Sequence, residues 1–305
     1  MTHLAFARGG IDLDVAGRAD AARISDASRA GIIVAVTARR EALCENNHLV
    51  DVSGETGLWS QASPSCRLEN GRLYYLGIVE GHPIYGVLVT DTEASHLLTG
   101  RRSWIPLRAT TGLHDWEMTA LAHTTALAAW WSSDHYCPGC GSRVAVAQCG
   151  WEQLCRDCGR TTYPRQDPSI IVAITDANER LLLAKNSAWH ARSVSLIAGF
   201  IEAGEAPELA VAREAYEETG LQVREVSYVG SQAWPFPHSL MLGFHARALD
   251  TAISCDGSEI AWARWWSRDG FREARRLGAI TTPPEATIAA SLIDEWLNPS
   301  PHRVE

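Results

Sequence analysis

Residues 199–221 read GFIEAGEAPELAVAREAYEETGL, and their spacing decides the fold of the C-terminal half. Pro207 to Thr219 has the composition of a helix. Pro207 suits a first turn, Glu205 and Glu208 favour the positive end of the helix dipole, and Gly220 suits the residue just past the C-terminus. On that helix Glu214, Glu217 and Glu218 stand at i, i+3 and i+4, so their carboxylates share one face. Leu209, Ala212, Ala215 and Tyr216 are expected to pack on the other side. Like charges at this spacing repel by roughly 0.2–0.5 kcal/mol per pair. A helix built only for stability would interleave lysines, whereas this one carries Arg213 as its single cation. The bland reading is a solvated acidic face. The chemical reading is a set of hard oxygen ligands for Mg2+ or Mn2+, ions that also grip phosphate oxygens. Glu214 and Glu218, one turn apart, are the leading ligands, with Glu217 close behind.

The segment fits G-x5-E-x7-R-E-U-x-E-E-x-G-U, where U is bulky or apolar, at every fixed position: Gly199, Glu205, Arg213, Glu214, Glu217, Glu218 and Gly220, with Ala215 and Leu221 at the U positions. This is the Nudix box, and from here on the chain resembles a Nudix hydrolase. The resemblance implies that Arg213 orients the carboxylates, that Glu205 supports the loop–helix geometry, and that the carbonyl of Ala198 is a further metal ligand. A divalent ion on diphosphate oxygens neutralises charge, polarises phosphorus and lowers the pKa of bound water. The sequence does not name the general base.

Cys137 and Cys140 form one C-x2-C pair, and Cys155 and Cys158 another, among eight cysteines. The spacing is that of a zinc ribbon, whose closed set of four thiolates makes the ion structural. A redox dithiol or disulfides are the alternatives. The N-terminus shows no signal-peptide pattern, so a reducing compartment, the cytoplasm, is expected. Cys44, Cys66, Cys149 and Cys255 read as ordinary thiols.

Residues 231–239 read SQAWPFPHS. Prolines on both sides of an aromatic interrupt a ladder or a helix, so the whole stretch is expected to be a rigid loop. It resembles the SQPWPFPxS motif of NADH pyrophosphatases, with Ala233 where proline is usual and His238 where glutamine is common. Ribbon, box and loop occur in the order of the NADH pyrophosphatase (NudC) family, and the resemblance covers roughly residues 100–295.

That resemblance implies hydrolysis of the central diphosphate of NADH or NAD+ to nicotinamide mononucleotide and AMP, and removal of the NAD cap from RNA 5′ ends. It implies that a base stacks between Phe200 and Tyr163 of a second subunit, and hence a homodimer. It also implies a further metal ligand at Glu259, with Asp256 as the substitute. Substrate contacts fall on Arg108, Gln232, Ala233, Trp234, Pro235, Phe236, Pro237, His238, Ser239 and Ala289. A glutamate of the family pattern is replaced at Gly150, with Glu152 nearby. A broader nucleoside-diphosphate hydrolase acting on ADP-ribose or diadenosine polyphosphates, and a non-catalytic Nudix module with an RNA-binding ribbon, are the rivals.

Composition sets limits. The 305-residue chain is 46% hydrophobic and 21% charged, with net charge −9. That acidity argues against a broad nucleic-acid footprint, although Arg143, Arg156, Arg160 and Arg165 lie in or beside the ribbon. No apolar run reaches a membrane span. The expected class is α+β: a mixed β-rich, Nudix-like domain over 1–130, a zinc ribbon over 131–165, and a C-terminal α/β/α sandwich over 166–300. Strands are expected at 31–39 and 72–88, a helix at 114–131, strands at 168–176, 180–185, 193–198, 223–230, 240–248 and 262–267, and a helix at 284–297. Among twelve tryptophans, Trp130, Trp131, Trp262, Trp265 and Trp266 read as either core or dimer interface. The eleven histidines show no metal-ligand spacing such as H-E-x-x-H.

Overall fold

The computed structural model describes residues 9–20, 31–55, 58, 64–110, 112–255 and 257–299. They fall into two compact units. One runs to Gln166 and includes Trp234–His238; the other holds Asp167–Ala233 and the residues from Ser239 onward.

The first unit comprises β1 (Ile32–Thr37), β2 (Glu41–Glu45), β3 (His48–Leu49), α1 (Pro64–Glu69), β4 (Leu73–Val79), β5 (His82–Val89), α2 (Asp91–Leu97), β6 (Ser103–Pro106) and α3 (Asp115–Ser133). Its sheet has the order β3-β2-β1-β5-β4, with β6 added on β2. β1 lies parallel to β5, from Ile32 beside Ile84 to Thr37 beside Val89. Both faces of this sheet are covered, so its strands are apolar throughout rather than alternating. Ile33, Leu73, Tyr75 and Val87 fill one side. Val34, Tyr74, Leu76 and Ile84 pack with Ala120, Leu127, Trp130 and Trp131 of α3 on the other. Trp130 and Trp131 are thus core residues, 2% and 6% exposed, which removes them as interface candidates.

The sequence reading passed over α2. It is seven residues long but carries a capping box, Thr90 with Glu93, the device that holds so short a helix. Glu93 is buried with two cations. It accepts from Arg67 at 2.5 Å and from Arg72 at 2.5 Å. Burial pushes the Glu93 carboxyl up, but the Arg67 bond, the Thr90 N–H and the Arg72 charge outweigh it and hold it at about 2. The ribbon follows as a three-stranded sheet, β7 (Val144–Ala147), β8 (Glu152–Cys155) and β9 (Thr161–Thr162). Gly150 explains itself there. Its φ is +103° and an added Cβ would meet the Tyr74 ring at 2.8 Å, so a glutamate at this position would be strained.

The second unit comprises β10 (Asp167–Thr175), β11 (Leu181–Asn186), β12 (Ile197–Phe200), α4 (Pro207–Thr219), β13 (Val223–Trp234), β14 (Ser239–Ala248), β15 (Ile260–Trp266), α5 (Arg268–Arg276) and α6 (Ile288–Leu297). The sheet order is β13-β14-β10-β11-β15, with β12 on β10. β10 runs parallel to β14 from Asp167 beside Ser239 to Thr175 beside Arg247. Ile170, Val172 and Ile174 pack under Ala210, Val211 and Ala215 of α4. Ile171 and Ala173 pack under Ile288, Leu292 and Trp296 of α6. The alternation of one strand between two helices makes this an α/β/α sandwich.

Several expectations are corrected. SQAWPFPHS is not all loop: β13 runs through Trp234 and β14 starts at Ser239, because both prolines fall at 235 and 237, inside the turn. The strand expected at 193–198 is Ile197–Phe200, with Ser195 only bridging Ala184. α6 starts at Ile288 with Thr287 as its cap. α5 was not foreseen, because its arginine-rich sequence buries Phe271 alone. α4 matches its expected limits, and Gly220 follows it at φ 70°. Its packing face differs: Leu209 and Tyr216 are 64% and 59% exposed, and Ala210, Val211 and Thr219 are buried instead.

Candidate active site and metal centres

The acidic site is assembled from β12, the loop after it, and the open face of α4. Arg213 is its hub. Nε and Nη2 grip the two oxygens of Glu205, each at 2.8 Å. Nη2 also donates to the Phe200 carbonyl at 2.8 Å. Nη1 donates to Glu214 at 2.8 Å and to Glu217 at 3.0 Å. All the N–H donors of the guanidinium are therefore engaged. The Glu202 N–H adds to Glu205 at 2.9 Å. Together Arg213 and that N–H hold the Glu205 carboxyl at about 2. Arg213 is raised in turn, chiefly by Glu205.

Glu214 lies against the strand because residue 199 is glycine. A Cβ there would sit 2.0 Å from the Glu214 carboxylate. Burial raises the Glu214 carboxyl; Arg213 opposes this, and the charges of Glu217 and Glu259 raise it further. Glu259 is exposed and Glu218 is buried, 6% exposed. Asp256 lies outside the described residues. The donor set fits a hard divalent cation: carboxylates within one another's field, beside the backbone of Ala198 and Gly199. Among the described residues, however, the ligand atoms of this set are not drawn within 4.8 Å of one another. Arg213 engages Glu214 and Glu217 at its own nitrogens.

The four cysteines do converge. Their sulfurs all lie within 4.8 Å of one another, with Cys137 to Cys158 at 3.5 Å and Cys140 to Cys155 at 3.4 Å. A tetrahedral ion with bonds of about 2.3 Å sets sulfurs roughly 3.8 Å apart, so the cage fits zinc. The Gly139 N–H lowers Cys137, and the Ser142 N–H lowers Cys140 to about 6. The Arg160 N–H lowers Cys158 as well, yet its three sulfur neighbours push it up to about 12. Of the other thiols, Cys44 and Cys149 are buried and Cys255 is half-buried; the Cys66 side chain lies outside the described ones.

The turn after β13 belongs to the first unit. Trp234 and Phe236 contact each other at 4.7 Å. The Arg108 guanidinium stands 4.5 Å from the Phe236 centroid and 5.2 Å from that of Trp234. Arg40, which the sequence did not single out, stands 5.6 Å from Phe236. Burial lowers Arg108, and the Arg40 charge adds to this. Two cations over one aromatic pair make a locally anion-attracting surface. The Phe236–Pro237 bond is cis; Pro235 is buried, His238 and Ser239 are half-buried, and Pro237 is exposed.

Phe200 and Tyr163 are 59% and 64% exposed, and open ring faces are what base stacking needs. Two other expected substrate contacts are placed differently. Gln232 is 1% exposed. Its amide donates to the Ala286 carbonyl at 2.7 Å and accepts from Ile288 N–H at 2.8 Å, so it anchors the start of α6. The side chain of Ala289 packs in the core, 5% exposed. Ala233, one residue on from Gln232, is half-buried. Arg156, Arg160 and Arg165 are exposed, and Arg143 lies 6.0 Å over Tyr136. No helix among the described residues is long and apolar enough to cross a membrane.

The chain is similar in sequence to known proteins. The NUDIX domain family matches residues 165–282. A protein of Mycobacterium bovis (strain BCG / Pasteur 1173P2) named NAD-capped RNA hydrolase NudC is 38% identical over 193 residues, covering 60% of this chain and 62% of the relative. The chain thus spans 62% of the length of that relative. A protein of the same name from Pseudomonas aeruginosa (strain LESB58) is 36% identical over 223 residues, covering 73% of this chain and 76% of the relative. A NUDIX hydrolase of Nitrosomonas europaea aligns in structure with TM-score 0.37 at 22% identity, over 49% of this chain and 97% of that one. The identity to the Pseudomonas protein, sustained over 76% of its length, is sufficient: the chain belongs to the NudC family of NUDIX-domain proteins.

Proposed function

We propose that this chain is a metal-dependent diphosphatase. It splits the central diphosphate of NADH or NAD+ into nicotinamide mononucleotide and AMP, and by the same reaction removes the NAD cap from RNA 5′ ends. The observation that carries this reading is the Arg213 hub, one guanidinium that orients Glu205, Glu214 and Glu217 on an otherwise anionic face.

Glu214, Glu217, Glu218 and Glu259, with the Ala198 carbonyl, would hold Mg2+ or Mn2+. Such an ion supplies charge neutralisation on the diphosphate and a more acidic bound water. Arg213 holds Glu205, Glu214 and Glu217, and Gly199 lets Glu214 approach the strand. Phe200 stacks on a base, and Tyr163 of a second subunit closes the stack, which makes the working unit a homodimer. Arg108 and the Trp234–His238 turn bind the rest of the dinucleotide, while Gln232 holds β13 and α6 in place. Water adds to one phosphorus, the bridging P–O bond breaks, and each phosphorus leaves as a phosphate monoester. The four cysteines hold Zn2+ as a structural ion, which suits a reducing compartment such as the cytoplasm.

The test is product analysis of NADH and of NAD-capped RNA with Mg2+ and with Mn2+. The expected products are nicotinamide mononucleotide with AMP, and nicotinamide mononucleotide with 5′-monophosphate RNA. A higher kcat/KM for ADP-ribose or diadenosine polyphosphates than for either would move the substrate assignment to the broader class. Binding of NADH or RNA without turnover in either metal would leave only a non-catalytic module.

A further inference from the structure

The β2–β3 hairpin turns through Asn46 and Asn47, both at positive φ, 51° and 62°. That geometry sets His48 opposite Glu45 and brings it to the first turn of α3. Glu117, in that turn, is buried, 2% exposed. One of its oxygens accepts the Leu49 N–H at 2.8 Å and the other the His114 N–H at 2.7 Å. His114 caps the helix. The exposed imidazoles of His48 and His114 face each other, with centroids 5.1 Å apart and planes 25° apart. One ligand atom from each of the three residues lies within 4.8 Å of the other two.

The spacing is informative. His48 Nδ1 stands 3.7 Å from the Glu117 carboxylate, too long for a hydrogen bond. Two ligands on one ion at about 2.1 Å are separated by roughly 3.4 Å across a tetrahedral angle and at most roughly 4.2 Å. The observed distance falls between these. The carboxylate is already fixed by two backbone donors, and each oxygen keeps a lone pair. The His48 imidazole is exposed, so it can turn out of the stack at little cost. Two imidazoles and one carboxylate prefer zinc, cobalt, nickel or copper to magnesium or calcium. This chemistry differs from that of the α4 carboxylates and from that of the four thiolates.

We propose that His48, His114 and Glu117 bind a divalent transition metal of the zinc and cobalt kind. Three protein ligands leave one position for water. The ion ties the β2–β3 hairpin to the N-terminus of α3, two elements 68 residues apart in sequence. Its presence therefore stabilises the N-terminal sheet.

The test is Co2+ titration of the full-length protein carrying one equivalent of Zn2+, which fills the thiolate cage, in excess Mg2+, which occupies the hard-oxygen site. Wild type should take up one Co2+ with tetrahedral ligand-field bands and no thiolate charge-transfer band, and its melting temperature should rise. His48→Ala and His114→Asn, the latter still able to cap the helix, should each weaken that binding by at least about 10-fold and abolish the thermal shift. Glu214→Gln/Glu218→Gln should keep both signals. Failure of wild type to bind Co2+ beyond the thiolate cage would overturn the proposal, as would unchanged binding in the two histidine variants.

Discussion

Gly199→Ala tests the geometry of the acidic site without altering any charged residue. The new Cβ would stand 2.0 Å from the Glu214 carboxylate, where ordinary contact begins at 3.4 Å. The backbone of β12 is held by its pairing with β10, Gly199 opposite Ile170, so the carboxylate is the part that yields. It must move by roughly 1 Å or more, and a displacement of that size at a reacting centre costs on the order of 100-fold in rate. The same movement breaks the 2.8 Å bond to Arg213. Folding loses only one half-exposed, charge-assisted contact, about 1 kcal/mol. The expected result is a kcat for NADH hydrolysis about 100-fold lower with a nearly unchanged urea midpoint. Because Gly199 acts through Glu214, the two changes should not add: Gly199→Ala/Glu214→Ala should be no slower than Glu214→Ala alone. A single variant within a few-fold of wild type, or a double variant slowed by the product of both effects, would refute the reasoning.

Glu218→Gln should abolish turnover while leaving ligand binding largely intact by calorimetry; persistent activity would remove Glu218 from the metal set. Phe200→Ala deletes a stacking surface worth about 1–3 kcal/mol, so KM for NADH should rise about 5- to 150-fold with little change in kcat. Cys137→Ser should lose bound zinc and lower the melting temperature far more than it lowers the rate of the folded fraction, since the thiolates do not touch the scissile bond. Glu93→Gln leaves Arg67 buried without its anion and should cost about 3–5 kcal/mol in urea unfolding. Wild-type Glu93, held at about 2 against an ordinary 4.5, contributes stability that is complete above about pH 4.5 and is lost as pH falls towards 2. That contribution, about 3 kcal/mol, should be missing from the acid-unfolding curve of the variant.

What could be read from the chain depended on how local its cause was. The limits of α4 follow from Pro207, Gly220 and the glutamate spacing, all within the segment itself. The four-cysteine cage likewise needs only two short C-x2-C turns. The turn at 235–238 was legible from its prolines, but the reach of β13 through Trp234 was not, because ladder pairing is set by a distant strand. Gln232 looked like a ligand contact from its motif, yet its amide meets Ala286 and Ile288, over 50 residues away. Arg40, His48 and His114 carried no signal, since each acquires its neighbours only when separate elements pack. Residues far apart in sequence gave the parts of the site that reading alone could not assemble.

Among the described residues, two of the knots of arginine and glutamate differ in stoichiometry, and the difference separates structure from chemistry. Around Glu93, one carboxylate meets Arg67 and Arg72; Glu93 and Arg67 are 2% and 1% exposed. The anion there is more than neutralised within the fold, and nothing more is required of it. Around Arg213 the ratio is reversed. One cation serves Glu205, Glu214 and Glu217, and the Glu259 charge also bears on Glu214. Three carboxylates thus share one guanidinium, and Glu218 lies on the same helix turn. Such an excess of negative charge on a part-exposed face is unfavourable on its own. It is tolerable in a site whose remaining neutralisation comes from outside the chain, and a hard divalent ion accompanied by a diphosphate supplies it. An isothermal titration with Mn2+ checks this balance: Glu205→Gln, which removes a charge already matched by Arg213, should weaken Mn2+ binding less than Glu214→Gln or Glu218→Gln. Equal losses in all three would mean that field strength alone, rather than ligand position, attracts the ion.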